Sequence, residues 1–174
     1  MRVPFEEIEH EEYTDARYAG QPFTGTAFAA RDGVVYEECD FVAGQMDGVR
    51  REFFQDGSPK WFAHYRGGQA HGPDQSFFAD GRLQRSAVCD AGVLLHEVEY
   101  GENGQKVSEY DAATGIRTEW RMDGSLRKIT VYEPATNHWH RAAREERYYD
   151  ADGQPTVVHT SAGWAPVGGA GDVT

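Results

Sequence analysis

The side chains able to do chemistry in this chain are few and widely spaced. His64 would share a sheet face with Phe54 and Phe62, and an imidazole there is a candidate general base. Glu97, Glu99 and Glu109 would share a site if their strands are neighbours, because crowded carboxylates raise one another's pKa and then serve as acid and base. The plainer readings are a half-exposed strand histidine and solvated charge on a sheet face. No residue is therefore assigned a catalytic role, and an acid–base reaction would have to draw on His64, Glu97, Glu99 and Glu109. His138 and His140 would point the same way if they lay on a strand, as a metal pair requires, but no third ligand follows at a telling spacing. They read as a surface pair flanking a packed Trp139, so neither metal nor cofactor is expected. Cys39 and Cys89 have no staple or zinc spacing and read as reduced and structural. No Ser-His-Asp or Cys-His order stands out, and no glycine is followed by the lysine and helix of a phosphate-cradling loop.

Those residues must be positioned by an internal repeat. Phe41 to Tyr65 (FVAGQMDGVRREFFQDGSPKWFAHY) and Tyr65 to Cys89 (YRGGQAHGPDQSFFADGRLQRSAVC) share G-Q-x-x-G followed by F-F-x-D-G. An earlier unit starts at Tyr18, and later, shortened units index on Gly104, Gly124 and Gly153, giving about six. A period in the low twenties belongs to arrays in which no unit buries its apolar face alone. Each unit alternates short β-favouring segments with D-G, N-G or G-G turns and lacks a helical period. The expectation is an all-β, single-layer antiparallel meander of hairpins, with turns at Gly33, Gly57, Gly81, Gly104, Gly124 and Gly153. His138 to Arg147 (HWHRAAREER) reads as an irregular insertion.

The chain has 174 residues, 39% of them hydrophobic, and a net charge of -12. That length suits one domain over residues 1–160, with residues 1–17 as an acidic arm or first strand and 161–174 as a flexible tail. The charge argues against nucleic acid and anionic membranes and favours a basic protein partner. Glu6, Glu7, Glu9, Glu11 and Glu12 decorate the first segment. The absence of an apolar membrane-spanning run and the acidic N-terminus point to the cytoplasm.

The register follows from the turn chemistry. If Gln55-Asp56-Gly57 is a three-residue loop with glycine in the left-handed position, Phe53 faces Pro59, Glu52 faces Lys60 and Arg51 faces Trp61. The equivalent pair further on is Glu119 with Arg127. This places opposite charges across from each other in two hairpins. It also predicts a packing face with Val49, Phe53, Trp61, Ala63, Tyr65 and Phe77. The aromatic column Phe53, Phe77, Tyr100, Trp120 and Tyr149 is expected to be largely buried there. The opposite face would carry Phe54, Phe62, His64 and Phe78, then Glu97, Glu99 and Glu109. These seven residues are the expected binding surface.

The pattern Y-x-G-Q-P-F-T-G at Tyr18 to Gly25, with G-x-x-x-G-x-x-R-x-F-F-x-D-G at Gly44 to Gly57 and its echo at Gly68 to Gly81, resembles the MORN-repeat variant of bacterial YwqK-type antitoxin or immunity proteins. The resemblance covers about residues 18 to 132. It implies a sheet of stacked hairpins and a non-catalytic protein-binding role, in which an acidic, aromatic face occludes a basic toxin. The alternative is a small enzyme of specialised metabolism, a cyclase, isomerase or lyase without cofactor, with a pocket on the curved face. A third expectation is a homo-oligomer formed through the open sheet edges.

Overall fold

A computed structural model describes residues 1–11, 14–133 and 142–167, so His138, Trp139, His140, Glu12 and residues 168–174 lie outside the described residues. The chain forms two compact units, Met1–Leu94 and Leu95–Thr174. In the first, β1 is Arg2–Pro4, a 3-10 turn covers Phe5–Glu7, and β2 (Glu9–Glu11), β3 (Thr14–Tyr18) and β4 (Gln21–Pro22) make a small sheet. There follow β5 (Gly25–Arg31), β6 (Val34–Val42), β7 (Gln45–Phe53), β8 (Pro59–Arg66), β9 (Gln69–Phe77) and β10 (Leu83–Asp90). β11 (Val93–Tyr100) leads into the second unit, with β12 (Lys106–Asp111), β13 (Ile116–Trp120), β14 (Leu126–Tyr132), β15 (Ala143–Tyr149), β16 (Pro155–Thr160) and β17 (Gly163–Pro166). Among the described residues, β1 and β5 to β17 form one sheet of 14 strands in that order. It is antiparallel except where β1 runs parallel to β5. The all-β meander expected from the repeat is the observed architecture.

At the ends the structure decides two expectations. Of the two readings of residues 1–17, the first strand holds and the arm does not: β1 adds to the sheet, and Val3, Ile8, Ala16 and Phe23 bury themselves with Ala27, Cys39, Phe41 and Met46. The array therefore begins with a small two-layered core, because an open first hairpin would leave the Phe41 ring in water. Nor is the chain from residue 161 all tail, since β17 pairs with β16 and Trp164 stacks on His159 at 4.3 Å. Of the supposed insertion, residues 143–147 belong to β15, which pairs with β14 and β16, and residues 138–141 lie outside the described residues.

The turn glycines fall where expected, with φ of 80° at Gly33, 82° at Gly57, 83° at Gly81, 78° at Gly104, 85° at Gly124 and 77° at Gly153. Around Gly57 the loop closes as a three-residue turn. The Gly57 N–H donates to the Phe54 carbonyl at 2.9 Å, and the Phe54 N–H donates to the Ser58 carbonyl at 2.9 Å. The Asp56 carboxylate accepts the Ser58 N–H at 2.9 Å, which is why aspartate or asparagine precedes the glycine.

The register beyond the loop differs from the expectation. Phe53 does face Pro59, but Glu52 faces Trp61 and Arg51 faces Phe62, so Lys60 has no direct partner. The same one-residue bulge recurs three positions after each turn glycine, at Tyr36, Gln84, Val107, Arg127 and Thr156. Glu119 accordingly faces Lys128 rather than Arg127. A bulge raises the local twist and exchanges the faces of every following residue, which is how a long unbacked sheet keeps twisting. Lys60 still reaches Glu52 at 2.9 Å, so the charge pairing persists diagonally across the bulge.

Candidate functional site

Paired residues share a face, so the bulges redistribute the side chains expected to form one surface. In the first unit, Glu52, Trp61, Ser76 and Arg85 are paired in sequence across β7 to β10, and Arg50, Ala63, Asp74 and Ala87 run beside them. The opposite face carries Arg51, Phe62, Gln75 and Ser86. Phe53 and Phe77 alternate with Arg51 and Gln75 onto that opposite face, where Phe62 meets Phe77 at 6.1 Å and His64 at 5.9 Å. The aromatic column therefore keeps company with Phe62 and His64, not with Trp61. None of its five members is exposed and none is wholly buried, because a single layer gives each ring only in-plane neighbours.

Phe54 and Phe78 stand apart from Phe62 and His64. They border a hollow of about 550 Å³ on the Trp61 face, at the hairpin ends, together with Phe77, Glu52 and Lys60. An equivalent hollow of about 410 Å³ lies one hairpin earlier, bordered by Arg31, Asp32, Val34, Tyr36 and Gln55. The equivalence is positional. Tyr36 and Lys60 are the bulge residues of successive hairpins, and Gln55 and Ala79 are the first loop residues of the next ones.

Inward from the hollow, the Trp61 face is held by ions instead of aliphatics. Arg50 donates through Nε to Glu37 Oε1 at 2.9 Å and lies over the Trp61 ring. Trp61 Nε1 donates to Asp74 Oδ1 at 2.8 Å, and Arg85 pairs with the same carboxylate at 2.9 Å. Half-buried, mutually bonded charges of this kind replace the second layer that a sandwich would supply.

His64 occupies β8 opposite a second irregularity, where the pairing jumps from Ala63–Asp74 to Tyr65–Ala70. Its described neighbour is the Phe62 ring, and no carboxylate among the described residues bonds to it. Asp40, one repeat earlier, takes the same place, accepting the Val49 N–H at 3.1 Å and the Thr26 hydroxyl at 2.7 Å. The second glycine of G-Q-x-x-G serves this spot. A Cβ on Gly48 would lie 2.7 Å from Asp40 Cβ, and one on Gly72 would lie 3.5 Å from His64 Cβ.

The three glutamates do not form a carboxylate cluster. Glu97 and Glu99 share the face of Ser108 and Tyr110, whereas Glu109 faces Val98 and Thr118 on the other side. Glu97 is 7% exposed and accepts from Arg117 Nη2 at 2.5 Å. Arg117 also donates to Ser108 at 2.9 Å. Glu109 binds Lys106 at 2.9 Å and His96 at 3.3 Å. The Lys106 bond, reinforced by His96 and opposed by partial burial, holds the Glu109 carboxyl below its ordinary range. A general acid would need the opposite shift. Further along, Lys128 pairs with Glu146 at 2.5 Å, and His159 lies 3.5 Å from the same carboxylate.

No disulfide joins the two buried cysteines, and burial pushes the Cys39 thiol up to about 12. No group of three or more metal-ligating side chains assembles among the described residues. No described helix is long and apolar enough to cross a membrane.

Sequence reasoning missed Trp61, Glu52 and Lys60 as walls of the hollow, because it carried an unbroken register past Lys60. The signal was present as consecutive polar residues after the turn, Gln84-Arg85 and Arg127-Lys128, which strict alternation does not allow.

No known family model matches the chain, and no curated protein matches it. Among solved structures it aligns with the GtfA/B complex bound to UDP and GlcNAc, at 15% identity over 89% of this chain and 29% of that one, with a TM-score of 0.30. It also aligns with an S. aureus TarM mutant in complex with Fondaparinux, alpha-GlcNAc-glycerol and UDP, at 8% identity over 66% of this chain and 18% of that one, TM-score 0.24. A further TarM structure aligns at 15% identity over 71% of this chain and 19% of that one, TM-score 0.24. The chain spans less than a third of each of these proteins.

Proposed function

We propose that the chain is a non-catalytic protein-binding module of the antitoxin or immunity type, which engages a basic protein through the hairpin-end hollows of its Trp61 face. The observation that carries this reading is the hollow walled by the rings of Phe54, Trp61 and Phe78 beside Glu52 and Lys60, in a chain of net charge -12. Aromatic anchors in a recess, with carboxylates at the rim, suit a protein contact in which charge steers association and ring burial holds it. The enzyme alternative draws less support. It required a base held to a carboxylate, and the described partner of His64 is a phenylalanine ring.

Glu97, Glu99 and Glu109 enter this reading only as contributors to the long-range field, since Glu97 and Glu109 are committed to internal cations. The test is co-expression with the product of an adjacent open reading frame that arrests growth, followed by titration of the purified pair at low and high salt. Restored growth and binding that weakens steeply with salt are expected. Unrelieved toxicity, or affinity indifferent to salt, would overturn the proposal.

A further inference from the structure

The two hairpin-end hollows are successive copies of one site, and their pitch selects a shape of ligand. Each hairpin contributes two strands, so equivalent points on neighbouring hairpins lie about 9.6 Å apart. A polyproline II helix presents the same side every third residue, after an advance of about 9.3 Å. An extended β-strand alternates sides every residue, so its third residue would face away from the sheet. The acidic rim repeats with the same pitch. Asp32 borders the first hollow and Asp56 sits at the tip of the next hairpin, and neither has a cationic partner among the described residues. Of the other charges nearby, Lys60 is held by Glu52 at 2.9 Å, Asp80 is held by Arg82 at 2.6 Å, and Arg31, which also borders the first hollow, lies over the Tyr36 ring at 5.9 Å.

We infer that the hairpin ends of β5 to β9 bind a proline-rich segment in the polyproline II conformation, with basic residues at intervals of three facing Asp32 and Asp56. The intervening prolines pack into the recess walled by Phe54, Trp61 and Phe78. The inference rests on the protein-binding reading and names the form of the partner. Aromatic-lined grooves take such ligands because the helix is ordered before binding and loses little entropy.

The probe is a synthetic peptide of four Arg-Pro-Pro triplets, titrated into the full chain and followed by the Trp61 indole N–H and backbone amide shifts. A peptide of the same composition with its arginines contiguous is the control. Two variants preserve the fold by borrowing from the repeat itself. Asp56→Asn copies Asn103, which accepts the Gln105 N–H in the equivalent turn at 3.0 Å, and Ala79→Gln copies Gln55. The triplet peptide should bind at least about tenfold tighter than the control, and Asp32→Asn with Asp56→Asn should cost about tenfold, the worth of two surface charge contacts. Ala79→Gln should weaken binding by narrowing the recess.

Equal binding of both peptides would reduce the contact to unspecific charge and overturn the inference. So would triplet binding that ignores all the substitutions. If the triplet peptide fails to bind while a folded basic protein still does, the ligand form is wrong and the binding function stands. If neither binds, both fall.

Discussion

At Glu97 and Cys39 burial has opposite consequences, and each can be tested. Glu97 is buried against Arg117, which donates to it at 2.5 Å, so removing one partner strands the other in a largely dry setting. Breaking a buried pair costs roughly 3 to 5 kcal/mol; Glu97→Gln should fall near the lower figure, because the Arg117 side chain retains 22% exposure. Adding Arg117→Met should recover much of the loss in the denaturation midpoint. A double variant as unstable as the sum of the singles would show that the pair is not coupled. Cys39 has no such partner to stabilise its anion, and burial raises its thiol to about 12 against the effect of Arg50. Because the thiolate is the nucleophile, iodoacetamide at pH 8 should label Cys39 at the rate of unfolding and no faster. Rapid labelling of the native protein would contradict the buried, protonated assignment.

The hairpin is the element in which sequence and structure agree most closely, and also where they part. Its turn was legible because D-G and N-G leave the backbone little choice. Its second half was not, because one unpaired residue at Lys60 or Arg127 leaves no mark except a break in alternation, and each break turns a predicted face over. Hence the strands and turns could be read from the sequence, whereas the face and the half-burial of the aromatic column, and the grouping of Phe54 with Trp61 instead of Phe62, could not. The two glycines of the repeat should respond differently to alanine. Gly57 has open space around its Cβ position, so Gly57→Ala should cost roughly 1 to 3 kcal/mol from positive-φ strain alone. At Gly48 the same strain is joined by a Cβ 2.7 Å from Asp40 Cβ, and overpacking adds roughly another 1 to 3 kcal/mol. Equal denaturation midpoints for Gly48→Ala and Gly57→Ala would refute the close-approach role of the second glycine.

The two compact units divide their stabilising interactions unequally, and acid should separate them. Met1–Leu94 holds the ionic network of Glu37, Arg50, Asp74 and Arg85 across β6 to β10, but β5 and β6 also carry the apolar cluster around Phe23 and Phe41, which does not titrate apart from the thiol of Cys39. In Leu95–Thr174 the buried residues include Glu97, Ser108 and Thr130, and the sheet is laced by Arg117–Glu97 and Lys128–Glu146. The bond from Lys128, outweighing partial burial, depresses the Glu146 carboxyl, and Lys106 does the same for Glu109. A carboxylate whose folded pKa lies below its unfolded value stabilises the fold above the unfolded pKa, and that contribution disappears as pH falls through the folded one. Protonation of these groups leaves Lys128 and Lys106 without counter-charge in strands that have little apolar area to compensate. Hydrogen exchange, corrected for intrinsic rates, should therefore show protection in β12 to β16 declining below the ordinary carboxylate range while β5 and β6 remain protected. Glu146→Gln should lower protection in β14 to β16 at neutral pH and flatten its further loss in acid. Loss of protection in β5 and β6 at the same pH, or an acid response unchanged by Glu146→Gln, would place the acid-sensitive interactions elsewhere in the sheet.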